Sequence, residues 1–155
     1  MTPEILVQKL CEEMKVLTKD IVLRDTQGNI CELNTFEQTL PRKISEEDTE
    51  PFPYCVVRFT ESKVTGVRER QPVTIMLDFG IYYDNPDCQY QHVYHRIFEK
   101  IKERFINRNF IGSFRCEPDM TFVLSPDDDV TYPYYYAGAA MQWMVPGLER
   151  KDEYS

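Results

Sequence analysis

The stretch at residues 72–105 constrains the fold more than any other part of the chain. Apolar side chains occupy every second position in its first part, and this period of two is typical of a β-strand with one buried face. After a short polar segment, apolar residues recur at helical spacing, which predicts an amphipathic helix. The strand positions are Val73, Ile75, Leu77, Phe79, Ile81 and Tyr83; the helix positions are Tyr90, Val93, Tyr94, Ile97, Phe98, Ile101 and Phe105.

The dipeptide Asn85-Pro86 predicts where this helix begins. Asn is a favoured N-cap residue and proline is favoured at the first helical position. Asp87 would then lie in the first turn, where the helix dipole stabilises a negative charge. We therefore expect Asn85 to cap the helix.

The other periodic segments predict a second helix and further strands. A helix is expected from Thr2-Pro3-Glu4 onward, with a buried stripe at Leu6, Val7, Leu10, Met14 and Leu17. Strands are expected at 21–24 and 30–33 (a hairpin around Gly28), 52–59, 112–115, 120–124 and 130–145. This order predicts an α+β fold, in which two main helices pack on one face of an antiparallel or mixed β-sheet.

The 155 residues are expected to form a single domain with three irregular segments. Residues 34–51 lack periodicity and read as a loop or linker, and residues 147–155 as a flexible tail. Residues 61–71 mix charges with Val64 and Val67 between two predicted strands. Loops of this length inside compact domains are usually functional or disordered. We expect a protruding hairpin or loop arm that touches a partner.

Composition indicates a globular protein without a basic surface for DNA. The formal net charge is −8, and the chain has no basic run to neutralise phosphates. No apolar run approaches the roughly 20 residues needed to span a bilayer, and Glu stands where a secretory signal would carry Lys or Arg. The five cysteines are scattered and predict no disulfide framework. We expect the chain to fold in the cytoplasm.

Two groups of residues could in principle bind a metal ion. His92 and His95 lie three apart on the predicted helix near Cys88, but zinc requires three or four ligands. The run Asp127, Asp128 and Asp129 offers oxygen ligands without the alternating spacing of an EF-hand loop. Helix histidines beside an apolar stripe and a solvated acidic turn are the commoner interpretations. Since nucleophile and nucleotide motifs are also missing, no catalytic residue, metal or cofactor is predicted.

Tyrosines are concentrated on the last predicted strand. Tyr132, Tyr134, Tyr135 and Tyr136 alternate between its two faces, and Trp143 follows. Tyr and Trp are enriched at protein interfaces, where a large apolar ring carries one polar group. A tyrosine-rich core is the alternative for any single residue, but aromatic residues on both faces favour an assembly contact.

The order of these elements resembles that of the tail-terminator, or tail-completion, proteins of long-tailed bacteriophages, prophages and phage-tail-like particles. The resemblance rests on the N-terminal helix, the hairpin, the Phe-Pro-Tyr-x-Val-Val strand at 52–57 and the charged segment after it. It continues with a strand ending in Asp84-Asn85, the helix at 89–107 and a strand after the Asp-rich turn. It covers residues 2–145 and includes no catalytic motif.

This resemblance implies a structural virion protein of the tail or neck, assembled in the bacterial cytoplasm without membrane contact. Such proteins form a ring, usually hexameric, that ends polymerisation of the tail-tube protein and receives the head–tail connector. DNA passes through without specific binding, and an acidic lumen would repel its phosphates. The candidate oligomer or tube contacts are Lys63, Val64, Arg68, Arg70, Tyr134 and Tyr136; the candidate lumen or subunit-seam residues are Asp127, Asp128 and Asp129.

Other interpretations stay open at this point. A head-closure or other head–tail joining protein would share the size, acidity and ring-forming habit. A tail-tube protein is disfavoured by the two substantial helices. A small metal-dependent enzyme would use His92, His95 and the Asp-rich turn, whereas a host-protein adaptor would bind through the aromatic strand and stay monomeric.

Overall fold

The structure, a computed structural model, describes residues 3–41, 51–64, 70–125 and 132–146. Its helices are α1 (Pro3–Leu17) and α2 (Gln91–Asn107). Its strands are β1 (Leu23–Arg24), β2 (Ile30–Cys31), β3 (Asn34–Glu37), β4 (Tyr54–Ser62), β5 (Gln71–Tyr82), β6 (Phe110–Ile111), β7 (Phe114–Leu124) and β8 (Tyr134–Val145).

One mixed sheet of six strands forms the framework, in the order β3-β4-β5-β8-β7-β6. The β3–β4 pair is parallel and the other neighbours are antiparallel. The long strand predicted from period-two alternation is β5, which lies between β4 and β8. Phe79 faces Cys55 on one side and Ala137 on the other. The short β1 and β2 form the predicted hairpin as a separate antiparallel pair.

Both helices pack on the same face of this sheet. Alternate side chains of β5 are buried in one cluster with the apolar stripes of α1 and α2. The predicted α+β fold with its helices on one face is therefore confirmed. The cluster includes Val73, Ile75, Leu77, Phe79 and Ile81 from β5, Leu6, Val7, Leu10 and Met14 from α1, and Tyr94, Ile97, Phe98, Ile101 and Phe105 from α2.

The predicted helix start is wrong. Helix α2 begins at Gln91, and its N-cap position is Tyr90 rather than Asn85. Asn85 instead begins a turn, in which its side chain accepts a hydrogen bond from the Asp87 amide and its carbonyl accepts one from the Cys88 amide. Cys88 has a φ of 54°, which is incompatible with a continuous right-handed helix. The residues that predicted a helix cap, Asn85 and Asp87, therefore belong to an Asx turn.

Two strand boundaries also differ from expectation. The segment predicted as loop at 34–51 begins with β3, which is held by parallel pairing with β4; residues 42–50 lie outside the described residues. The two strands predicted at 112–115 and 120–124 are one strand, β7, whose register shifts between Cys116 and Met120. Pro118 lies within this irregularity, where a missing amide hydrogen is tolerated.

Gly80 allows aromatic rings to lie against the face of the sheet that carries no helix. An added Cβ would lie 2.6 Å from Tyr54 Cζ and 2.8 Å from Phe52 Cε1, so the rings could not keep their positions. We expect Gly80→Ala to lower the free energy of unfolding by about 1–3 kcal/mol, the usual effect of overpacking. Urea unfolding followed by circular dichroism measures this change.

Gly138 provides the matched control on the same face. There an added Cβ would make ordinary contacts, 3.6 Å from the Leu77 carbonyl oxygen and 3.8 Å from Asp78 Oδ1. Gly138→Ala should leave stability within about 1 kcal/mol, because no neighbour has to move. Equal losses in the two variants would show that close ring packing is not what Gly80 provides.

Candidate assembly surfaces

The first candidate surface is an aromatic cluster on the helix-free face, formed by Phe52, Tyr54, Tyr82, Tyr134 and Tyr136. Phe52 lies at its centre, with ring centroids 5.1 Å from Tyr54, 4.8 Å from Tyr134 and 6.1 Å from Tyr136. Tyr82 and Tyr134 are 5.8 Å apart. The structure therefore places Tyr134 and Tyr136, the two tyrosines predicted as contact residues, in one cluster with Phe52, Tyr54 and Tyr82. The sequence predicted these three only as strand residues.

Tyr136 is the most open ring of this aromatic cluster. Its exposed fraction is 37%, whereas Phe52 and Tyr54 are buried. Tyr135, between Tyr134 and Tyr136, points to the opposite face and stacks on Tyr90 with ring centroids 3.9 Å apart. The prediction that tyrosines occupy both faces of this strand is confirmed.

Two hydroxyl groups of the aromatic cluster, those of Tyr54 and Tyr82, have raised pKa values. Burial raises the pKa of Tyr54 to about 12, with further contributions from Tyr136 and Asp78 and an opposing one from Arg58. Burial and Asp84 also raise the pKa of Tyr82. Because its folded-state pKa exceeds the ordinary value, Tyr54 stabilises the fold fully below pH about 10 and loses this contribution as the pH rises through about 12.

The helix-free face continues from these rings to an ion pair and an apolar strip. Arg58 Nε lies 2.8 Å from Asp78 Oδ2. Beyond Asp78, Gly138 is its cross-strand neighbour, and Val123 follows on β7 with an exposed fraction of 57%. No described helix covers this strip. An antiparallel sheet can face water on one side, but here that side carries the aromatic cluster and exposed Val123 as well as polar residues.

The second candidate surface lies at the connection between β4 and β5. The two strands are antiparallel, and the Lys63 amide donates a hydrogen bond to the Pro72 carbonyl. Residues 65–69 lie outside the described residues, so the protruding arm stays a prediction. Lys63 is exposed, and Val64 has an exposed fraction of 69%. Arg70 Nη1 lies 3.3 Å from the Ser113 carbonyl oxygen in the turn between β6 and β7. Arg68 lies outside the described residues.

The predicted contact residues thus fall into two separate groups. Tyr134 pairs with Tyr82 at one end of β5, whereas Gln71, next to Arg70, pairs with Val145 at the other end. A strand of 12 residues is roughly 35 Å long at about 3.3 Å per residue. No single compact patch includes both groups, so two different contacts are required if both are functional.

Among the residues that the structure describes, the sheet has open edges on opposite sides. Strand β3 is outermost on one side. On the other side β6 pairs only with Phe114 and Arg115, so the rest of β7 has no described partner beyond β8. Residues 120–124 of β7 are uncharged and rich in residues that favour strands. Unpaired amide and carbonyl groups along such an edge can pair with another chain.

One part of the β4 edge is closed by a side chain. Gln38 follows β3 with a φ of 67°, and its amide group bonds to both peptide groups of Phe59. The Phe59 amide donates to Gln38 Oε1 at 2.6 Å, and Gln38 Nε2 donates to the Phe59 carbonyl at 3.4 Å. The side chain thereby replaces the next residue of a neighbouring strand.

Among the described residues, the possible metal ligands form no metal-binding group. His92 and His95 are both exposed on α2. Within residues 3–41, 51–64, 70–125 and 132–146, no group of three or more His, Cys, Asp or Glu side chains could hold a metal ion. Asp127, Asp128 and Asp129 lie outside these residues, so their assignment to a lumen or seam stays a prediction.

Comparison with known proteins adds no family assignment. None of the models of protein families matches the chain. No curated protein matches it with significance. In the described part of the chain, neither helix is both long and apolar enough to cross a membrane. The candidate surfaces therefore rest on the geometry of this chain alone.

Proposed function

We propose that this chain is a structural subunit that forms a ring, with six copies as the expected number, on the end of a phage tail tube. The ring would stop polymerisation of the tail-tube protein and receive the head–tail connector, as tail terminators do. The protein would then be a virion component of the tail or neck. The proposal joins the resemblance in element order to one structural observation, the open edges on opposite sides of the sheet.

Opposite open edges favour a head-to-tail contact between copies. If the β7 edge of one copy meets the β3 side of the next, each copy uses two different surfaces. Such heterologous contacts generate closed rings when the rotation between copies closes. Pairing would also supply partners for those peptide groups of residues 120–124 that point away from β8 and have no described strand partner.

The helix-free face and the β4–β5 connection supply contacts beyond the ring. The aromatic cluster has rigid apolar rings with polar hydroxyl groups, a combination enriched in protein interfaces. It lies at the far end of β5 from Lys63 and Val64. A cap on a tube needs one surface for the tube and another for the connector, and two separated groups of contact residues suit that role.

Light scattering and tube capping test this proposal together. The mass of the purified chain is measured over a concentration series, with and without Mg²⁺, and compared with the 18.4 kDa monomer. The chain is then added to growing tubes of the cognate tail-tube protein, and tube lengths are measured by electron microscopy. We expect a discrete ring, free or on the tube end, and tubes that stop growing.

Other experimental outcomes would favour one of the alternative functions. A ring that binds connector but leaves tube growth unchanged would indicate a head-closure or other joining protein. A chain that stays monomeric and does not bind tubes would contradict the proposal and favour an adaptor. Stoichiometric zinc that survives dialysis would favour the metal-dependent enzyme instead.

A further inference from the structure

An apolar groove with an acidic rim lies between the start of α1 and the end of β4. Its volume is about 620 Å³, and its apolar lining is formed by Pro3, Val7 and Phe59. Glu4 and Glu37 also line it and are exposed. Cavities of this size can take up several side-chain-sized groups. We call this site the α1–β4 groove.

The rim of the α1–β4 groove carries uncompensated negative charge. Neither Glu4 nor Glu37 is ion-paired within the part of the chain that the structure describes. Charges of one sign around an apolar site attract a partner of the opposite sign and disfavour one of the same sign. The chemistry that fits the α1–β4 groove is therefore an apolar side chain flanked by basic residues.

The same chain presents such a group where α2 leads into β6. Ile106 and Phe110 have exposed fractions of 65% and 47%, and Arg108 is exposed between them. Arg70 lies nearby, because its guanidinium bonds to the Ser113 carbonyl in the β6–β7 turn. We call Ile106, Arg108 and Phe110, together with Arg70, the α2–β6 corner.

Contacts of Arg104 hold the α2–β6 corner in place. Arg104 Nε lies 2.5 Å from Glu13 Oε1 on α1, and Nη2 donates to the Phe110 carbonyl at 3.1 Å. Nη1 donates to the Arg108 carbonyl. The backbone at Arg108 and Phe110 is thus fixed against both helices. A group that is already ordered loses less entropy on binding.

Phe110 and Arg108 of the α2–β6 corner lie at the far edge of the sheet from the α1–β4 groove, and Arg70 lies between, since it precedes β5 and reaches the β6–β7 turn. Strand β6 is outermost on one side of the sheet, whereas β4 lies beside β3 on the other, and six strands span roughly 24 Å at about 4.8 Å spacing. They also flank α1 on different sides, since Glu4 and Val7 line the groove while Glu13 faces Arg104. A copy therefore cannot place its own Phe110 in its own groove.

We propose that the α2–β6 corner of one copy docks into the α1–β4 groove of the next copy. Phe110 would pack on Val7 and Phe59, with Arg70 and Arg108 facing Glu4 and Glu37. This contact is heterologous, so it generates a ring or a filament rather than a closed pair. This proposal rests on the proposed ring and identifies the two surfaces that would form the contact between its subunits.

Complementary charge reversal tests this contact. The groove variant carries Glu4→Lys and Glu37→Lys, and the corner variant carries Arg70→Glu and Arg108→Glu. Alone, each variant places like charges in contact and should associate at least about tenfold more weakly than wild type. An equimolar mixture should recover association, because each kind of copy then finds an opposite charge on both neighbours. Recovered rings should contain an even number of copies in alternation.

The measurements are light scattering of the free proteins and capping of tail tubes, with circular dichroism to verify folding. Phe110→Ser should also weaken association, whereas Ile30→Ser, at a more exposed apolar residue of the β1–β2 hairpin, should not. A mixture that recovers neither association nor capping overturns the contact. Rings that form equally well in wild type and both variants overturn the contact and leave the proposed function standing. A mixture that associates keeps the contact whether or not it caps tubes, because Arg70 is also a candidate tube contact; failure of wild-type rings to cap tubes overturns the function.

Discussion

A chain with a shortened β4–β5 connection should fold normally and fail to cap tail tubes. The variant replaces residues 65–70 with Asn-Gly and carries Lys63→Thr and Val64→Thr. Strands β4 and β5 pair up to Ser62 and Val73, and the Lys63 amide bonds to the Pro72 carbonyl, so a two-residue turn can join them. Capping should fall by at least tenfold, or about 1.4 kcal/mol, because exposed Val64 and its basic neighbours are lost.

Stability of this variant should stay within about 1 kcal/mol of wild type, because shortening a loop alters closure entropy only slightly. The readout is tube length by electron microscopy, with urea unfolding alongside. Ile30→Thr serves as a control, because Ile30 is exposed to a similar degree at a different place. A shortened chain that caps tubes like wild type would remove the connection from the proposed contacts.

Trp143→Ala should remove much of the stability of the fold. Trp143 is fully buried on β8, lies between Val73 and Cys116 on the neighbouring strands, and meets the Phe105 ring at a centroid distance of 5.3 Å. Truncation of a buried Trp costs about 3–5 kcal/mol, out of roughly 5–15 kcal/mol for a typical domain. The expected result is a chain that is partly unfolded at ambient temperature.

Trp143→Phe separates packing from hydrogen bonding at the same position. Within the described residues, Trp143 Nε1 is buried without a hydrogen-bond partner, and such a group costs about 1–3 kcal/mol. The Phe variant keeps an aromatic ring and removes this donor, so its loss of stability should be much smaller. Both variants are followed by circular dichroism during urea unfolding, because the fluorescence of the single Trp is lost. An Ala variant as stable as the Phe variant would contradict the packing argument.

The core was predictable because its residues follow a strict period. Val73 through Ile81 alternate on β5, and Tyr94 through Phe105 repeat at helical spacing on α2, so burial follows from geometry alone. The start of α2 was not predictable in this way. Asn85 and Asp87 favour a helix cap and an Asx turn almost equally, and only the left-handed backbone at Cys88 decides between them.

The candidate surfaces were predictable only in part. Tyr134 and Tyr136 were predicted as contact residues because aromatic residues are concentrated on one strand. The contact of both with Phe52 depends on pairing between strands far apart in sequence, which no local pattern encodes. The α1–β4 groove joins residues from three distant segments, such as Val7, Glu37 and Phe59, and Arg104 bonds to Glu13 across the two helices. Such long-range contacts exist only once the sheet order is known.

At Phe59 the edge of β4 is covered by a side chain that can move away, the amide of Gln38. A strand residue leaves a sheet only if the backbone moves, whereas this side chain can rotate about its own bonds and release both peptide groups of Phe59. That rotation gives up two hydrogen bonds, on the order of 1–3 kcal/mol in total. An incoming strand can supply both hydrogen bonds again, so the bonds lost at Phe59 are replaced on pairing. Gln38 thus blocks strand pairing at Phe59 in the isolated chain, whereas rotation of its side chain opens this position to a partner strand.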